Sequence, residues 1–215
     1  MEQKEQTTKY LAGLLYLGIA SVSLNVVTDI LVNDGWSFWL QMLLSAGMVA
    51  CLYLLRSVGS KYLPAALFRA GGLLLNIALQ AIGIFWMPRF LDAPEKMQLG
   101  ILITRVLGIG ASVVSVLGLW FEYRAHGILV SGADAALQRK WNTLFFLNLG
   151  VSLFYSLCTY VAVYLQGLLK WDISTTYALV LAILQLPGKV VYLLYLLYLY
   201  RTIRLVREEK GVNYG

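Results

Sequence analysis

Charged side chains are scarce in this chain: 13% of its 215 residues, against roughly 25% in an ordinary soluble domain. Hydrophobic residues make up 60% and mean hydropathy is +0.72 over the whole length, so the apolar excess exceeds what one anchor or a cleavable signal segment would give. A soluble fold is excluded. Histidine occurs once, at His126, and cysteine twice, at Cys51 and Cys158. No nucleophile motif, phosphate loop, zinc-ligand spacing or pair of facing carboxylates is present, and the expectation is therefore a protein that is not an enzyme and uses no cofactor. Glu122 and His126 stand at i, i+4, but a metal site needs at least a third ligand, and the nearest acid, Asp134, is better used as a helix cap. No metal is expected, and the pair reads as interfacial and polar. Each cysteine lies inside an apolar run, about 20 Å apart in depth at 1.5 Å per residue, which excludes a disulfide between them and makes both small packing residues.

What the chain has in abundance is long apolar runs. They place six spans at 10–32, 36–55, 63–87, 98–121, 141–165 and 175–200, each close to the roughly 20 residues a bilayer requires. The breaks carry turn chemistry: Asn33, Asp34 and Gly35, then Gly59 within 56–61, then two prolines and four charges within 88–96. Connections this short make sequence neighbours pack as antiparallel hairpins. The expected fold is all-α, a polytopic membrane protein of six transmembrane helices, with residues 1–215 forming a single integral membrane domain.

The net charge of +6 raises the question of a nucleic-acid partner, which the positions of the basic residues answer in the negative. With the amino terminus in the cytoplasm, twelve basic residues from Lys4 to Lys210 fall on the inner side. Only Arg89, Lys96 and Lys170 fall on the outer side. This bias recurs at every inner loop, so both termini are expected to be cytoplasmic and the protein to reside in the cell membrane. All six tryptophans fall at predicted span ends, where an amphipathic ring prefers the headgroups. The longest inner loop, 122–140, contains Ser131, Gly132, Ala133 and Asp134, a capping pattern that would start the fifth helix near Gly132, outside the bilayer. Residues 201–210 should prolong the last helix into the cytosol, with Arg201, Arg204 and Arg207 as topology anchors or contacts for anionic lipid. A two-helix repeat, hinted at by Asn25 and Asn76 in similar surroundings, has thin support.

Polar residues within the spans are the informative ones, because a charge at a helix centre costs about 2.5–3.5 kcal/mol. Their spacing puts them on stripes: Gly18, Ser21, Asn25 and Asp29 in the first span; Arg69, Gly72, Asn76 and Gln80 in the third; Arg105, Gly108, Ser112 and Ser115 in the fourth. The fifth offers Asn148, Ser152, Tyr155 and Thr159, the sixth Gln185, Lys189 and Tyr192, and the second only Gln41 and Ser45. Such stripes turn inward and let backbones approach. Asp29, Gln41, Gln80 and Arg105 belong to the outer half, with Asp29 and Arg105 matched in depth and expected to pair. Asn25, Asn76, Gln185 and Lys189 surround the midplane. Pro187 and Gly188 beside Lys189 should kink or unwind the sixth helix and free carbonyls there.

Two functions follow. The first is binding or transport of a small solute, anionic or carboxylate-bearing, in a polar cavity reached from outside and lined by Asp29, Asn25, Gln41, Asn76, Gln80, Arg105, Gln185 and Lys189. Lys189 could alternatively exchange a proton during transport. The second is a non-transporting membrane subunit or assembly protein whose stripes, including the small-residue ridge Gly108, Ala111, Ser115 and Gly118, hold helices or grip a partner. Besides the lipid bilayer and the solute, a homo-oligomer or a partner membrane subunit is the expected company.

Overall fold

A computed structural model describes residues 2–30, 36–86, 94–169 and 174–208. All of the regular structure there is helical. The helices are α1 (Glu2–Ile30), α2 (Trp36–Leu54), α3 (Tyr62–Ala81), α4 (Pro94–Val130), α5 (Ala135–Leu169) and α6 (Ser174–Glu208). A 3₁₀ turn, Leu55–Ser57, extends α2, and a π-helical segment, Ile82–Trp86, extends α3. Six helices are long and apolar enough to cross a membrane. The protein is therefore a multi-pass membrane protein.

Each helix packs on its neighbour in sequence, and α1 also packs on α6, so the six close into a ring. The tightest seam joins α3 to α4, where small residues remove the side chains that would hold the backbones apart. A Cβ added at Gly72 would lie 2.7 Å from Ser115 Oγ, and one at Gly118 would lie 3.1 Å from the backbone nitrogen of Arg69. Ala111, Ser115 and Gly118 of the small-residue ridge thus serve a contact within the chain, whereas Gly108 faces open space.

The buried core is concentrated at one end of the ring. It draws Leu11 and Leu14 from α1, Leu52 from α2, Tyr62 and Ala66 from α3, Tyr123 and Leu129 from α4, Leu137, Trp141 and Leu144 from α5, and Tyr195, Leu199 and Val206 from α6. Aromatic rings fill its centre: Trp141 contacts Tyr123, His126, Tyr195 and Tyr198. Away from this plug the helices expose most of their large apolar side chains, as lipid-facing surfaces do.

Several local expectations change. Asp134, and not Ser131, caps α5: its Oδ1 accepts the amide of Leu137 at 2.9 Å, while the Ser131 hydroxyl turns back to the carbonyl of Ile128. The helix therefore starts at Ala135, three residues later than the capping pattern implied. Of the kink or unwinding expected at Pro187, the unwinding is absent: α6 remains helical through it, since neighbouring turns carry the helix across one missing donor. Trp141 sits in the core instead of at a wet interface, because α4 and α5 continue together past the apolar stretch: the 37 residues of α4 reach about 55 Å. Both cysteines are free thiols. The turn residues 31–35 and the 87–93 connection lie outside the described residues.

Candidate functional site

Two polar regions lie between the helices, one against the aromatic plug and one away from it. The first is an ionic cluster. Arg69 of α3 donates through Nε and Nη2 to a single oxygen of Glu122 of α4, Oε2, at 2.9 and 2.7 Å. The other oxygen, Oε1, accepts the hydroxyl of Tyr195 of α6 at 2.7 Å and lies 4.0 Å from His126 Nε2. The second ring nitrogen, Nδ1, is bonded to the Tyr62 hydroxyl at 2.9 Å. Two turns further along α6, Thr202 accepts a hydrogen bond from Trp141 Nε1. Glu122 is 2% exposed and His126 fully buried, whereas the Arg69 side chain remains 33% exposed. A buried carboxylate persists only when paired and hydrogen-bonded, and three donors meet that condition here. His126 Nε2 has no hydrogen-bond partner among the described residues.

Arg69 and Glu122 form the base of a cavity of about 120 Å³ between α2, α3 and α4. Its sides carry Ser45 and Met48 from α2, Asn76 from α3 and Ser115 from α4. Asn76 spends one amide hydrogen on the carbonyl of Gly72, which leaves its oxygen and second hydrogen for the space beside it.

The second region consists of two larger spaces. One, of about 360 Å³ between α1 and α6, is lined by Val22, Asn25, Gln185, Gly188, Lys189 and Tyr192. The other, of about 480 Å³, has Asn25 and Thr28 on one side and Gln41 and Gln80 on the others. Asn25 belongs to both. Gln41 donates to the Ser21 hydroxyl and leaves Oε1 buried with no partner among the described residues. Tyr192 separates the 360 Å³ space from the cavity above the ion pair: it lines the first, and its hydroxyl meets Ser21 and Met48 Sδ, a wall atom of the second.

Six of the eight residues chosen from sequence therefore line inter-helix spaces, in three groups: Lys189 with Gln185 and Asn25, Gln41 with Gln80 and Asn25, and Asn76 above Arg69. Gln185 is held by a long bond of 3.4 Å to the Tyr155 hydroxyl. Arg105 behaves differently. It is exposed on α4 and lines none of these cavities, because the packed stripe of that helix is Ala111, Ser115, Gly118 and Glu122, which Arg105 does not share. The side chain of Asp29, and with it the expected pairing to Arg105, lies outside the described residues.

Sequence reasoning missed the ionic cluster. Glu122 and His126 look like an interfacial pair because nothing in their own helix reveals Arg69, Tyr62 and Tyr195, which arrive from 53, 64 and 73 residues away. The available signal was Arg69 itself, a cation on the same stripe as Gly72 and Asn76. Among the described residues no group of three histidine, cysteine or acidic side chains could hold a metal ion. Compared with protein-family models, curated proteins and solved structures, the chain shows no match to any of them.

Proposed function

We propose that this multi-pass membrane protein binds, and moves across the cell membrane, a small solute that is anionic or carries a carboxylate. The observation that carries the reading is that Asn25 of α1 and the pair Gln185 and Lys189 of α6, from opposite ends of the chain, line one space of about 360 Å³. That volume suits a small metabolite, and a cation flanked by two amides suits an oxyanion. The role is non-catalytic. The helices alternate in direction and both termini face the cytoplasm: the core joins the first halves of α1, α3 and α5 to the last halves of α2, α4 and α6, and the basic residues collect beside it. On that orientation the aromatic plug is the inner closure and the polar spaces open outward. Six helices are few for two gates, so a second copy or a partner subunit completes the transport cycle.

A thermal-unfolding screen of the purified protein against carboxylates tests this reading, because a ligand at a hundred times its Kd stabilises the folded state by about 2.7 kcal/mol. A carboxylate that stabilises wild type but not a folded Lys189→Met variant is the expected result. No stabilisation by any anion, or equal stabilisation of the variant, overturns it.

One observation favours the alternative of a membrane subunit that grips a partner. Arg105 and Ser112 are exposed on α4 beside Gly108, which has open space around it. An acidic residue in a partner's helix would satisfy that face. On this reading Arg105→Met abolishes co-purification of the partner, while Lys189→Met leaves it intact.

A further inference from the structure

We propose that Arg69 is an anion ligand whose resting counter-ion is Glu122, and that a small planar monoanion takes over the guanidinium while one proton enters the Glu122–His126 pair. The inference rests on the anionic-solute reading above but concerns a separate, deeper site.

The buried carboxylate of Glu122 couples the anion to a proton through charge balance. At rest the cluster is neutral, one guanidinium against one carboxylate, with three donors on that carboxylate. An anion entering the 120 Å³ cavity alone would compete with Glu122 for the one guanidinium, and a carboxylate that is 2% exposed is strongly disfavoured once its cation is drawn away. One proton taken up with the anion restores neutrality.

The geometry supplies a place for each charge. Arg69 uses Nε and one hydrogen of Nη2 on Glu122 Oε2, so its Nη1 hydrogens and the remaining Nη2 hydrogen are not committed to that carboxylate. Arg69 and Glu122 both line the cavity, together with Asn76 and Ser115, which add neutral hydrogen-bonding groups. A planar anion fits the fork of a guanidinium in two parallel bonds, and the cavity's size limits it to a few heavy atoms. The proton has an equally definite seat. His126 Nε2 is buried, has no partner among the described residues and faces Glu122 Oε1 across 4.0 Å. In the tautomer whose Nδ1–H donates to the Tyr62 hydroxyl, Nε2 is a bare acceptor. A proton from solvent placed on Oε1 is then donated to Nε2 once the gap closes by about 1 Å, a hydrogen-bond length being near 2.7–3.0 Å.

The surroundings leave few rivals for that proton. Around Glu122, α3 contributes Arg69 and Tyr62, α4 contributes Tyr123 and His126, and α6 contributes Tyr192 and Tyr195. The same packed core also holds Tyr10 from α1, Cys51 from α2 and Tyr198 from α6 as titratable groups, while its other members from α1, α2 and α5, such as Leu14, Leu52, Trp141 and Phe145, do not titrate.

Nitrate is the probe, since it is planar and carries no proton at the pH values used. Binding to the full-length protein is followed by calorimetry in detergent from pH 8 to pH 6. One proton taken up per anion tightens the Kd tenfold for each pH unit lowered. Glu122→Gln, which keeps the shape of the protonated acid, should bind nitrate at pH 8 as tightly as wild type does at the acid end, with a flat profile. Arg69→Met should not bind. Should that variant fail to fold, Gly72→Ala serves instead: its Cβ lies 2.7 Å from Ser115 Oγ, narrows the cavity and keeps the ion pair, and should weaken nitrate at least tenfold. A flat wild-type profile, a slope retained in Glu122→Gln, or unchanged nitrate binding in Gly72→Ala overturns the proposal. Lys189→Met separates the two readings, because it should keep the pH slope for nitrate even where it abolishes the carboxylate stabilisation described above.

Discussion

Removing the cation from the ion pair should cost far more stability than removing the acid. In Arg69→Met, Glu122 remains 2% exposed with the Tyr195 hydroxyl as its surviving donor. Breaking a buried pair from one side costs about 3–5 kcal/mol, because a charge is left without compensation. In Glu122→Gln the amide oxygen still accepts from Arg69 or Tyr195, and Arg69, with its side chain 33% exposed, keeps contact with water through the cavity. That exchange of charged for neutral hydrogen bonds costs about 1–2 kcal/mol. The double variant Arg69→Met with Glu122→Gln strands no charge and should recover about half or more of the loss seen in Arg69→Met alone. Reversible unfolding by SDS in mixed micelles, followed by tryptophan fluorescence, measures all three variants. The Arg69→Met deficit should also shrink at acid pH, where the stranded carboxyl carries a proton. Equal losses in the two single variants, or a double variant weaker than Arg69→Met, would refute the reasoning that burial of Glu122 governs the cluster.

Other consequences are quick to check by the same unfolding assay. Gly118→Ala presses a methyl group against the backbone of Arg69 at 3.1 Å and should cost about 1–3 kcal/mol, whereas Gly150→Ala, with nothing within 4 Å, should be neutral or slightly stabilising. Asp134→Ala removes the α5 cap and should cost about 1 kcal/mol, while Ser131→Ala, whose hydroxyl returns to its own turn, should cost less. Leu14→Ala, at a fully buried site in the plug, should lose about 2–5 kcal/mol, and the same change at Leu74, 66% exposed on the outside of the ring, much less.

The helices were legible because their signal is a length of apolar sequence, which a bilayer demands of any span. The stripes were partly legible. Asn25, Gln185 and Lys189 converge as their spacing implied, since a midplane polar residue does best facing another helix. Arg105 does not join them, because the fourth span carries two overlapping stripes of small and polar residues. Spacing alone does not tell which one meets α3; the close approaches of Gly72 to Ser115 and of Gly118 to Arg69 decide it. The capping residue of α5 was open to the same ambiguity, with Ser131 and Asp134 both chemically able and only the backbone turn selecting between them. The ionic cluster was hidden for a different reason. A glutamate and a histidine beside a predicted span end look wet, and they become dry only because α4, α5 and α6 run on together beyond the apolar stretch.

Solute binding requires an aqueous space between the helices that opens to one side of the membrane. Single cysteines introduced at Asn25, Gln41 and Ser45, with Cys51 and Cys158 replaced by alanine, can be challenged in intact cells with a membrane-impermeant thiol reagent. Labelling from outside is expected at all three positions, with protection at Leu74 and Val106 on the outer apolar surface and no outside labelling at Ser57 near the plug. Cysteines at Asn25, Gln41 and Ser45 that react no faster than those at Leu74 and Val106 would contradict solute binding in such a space.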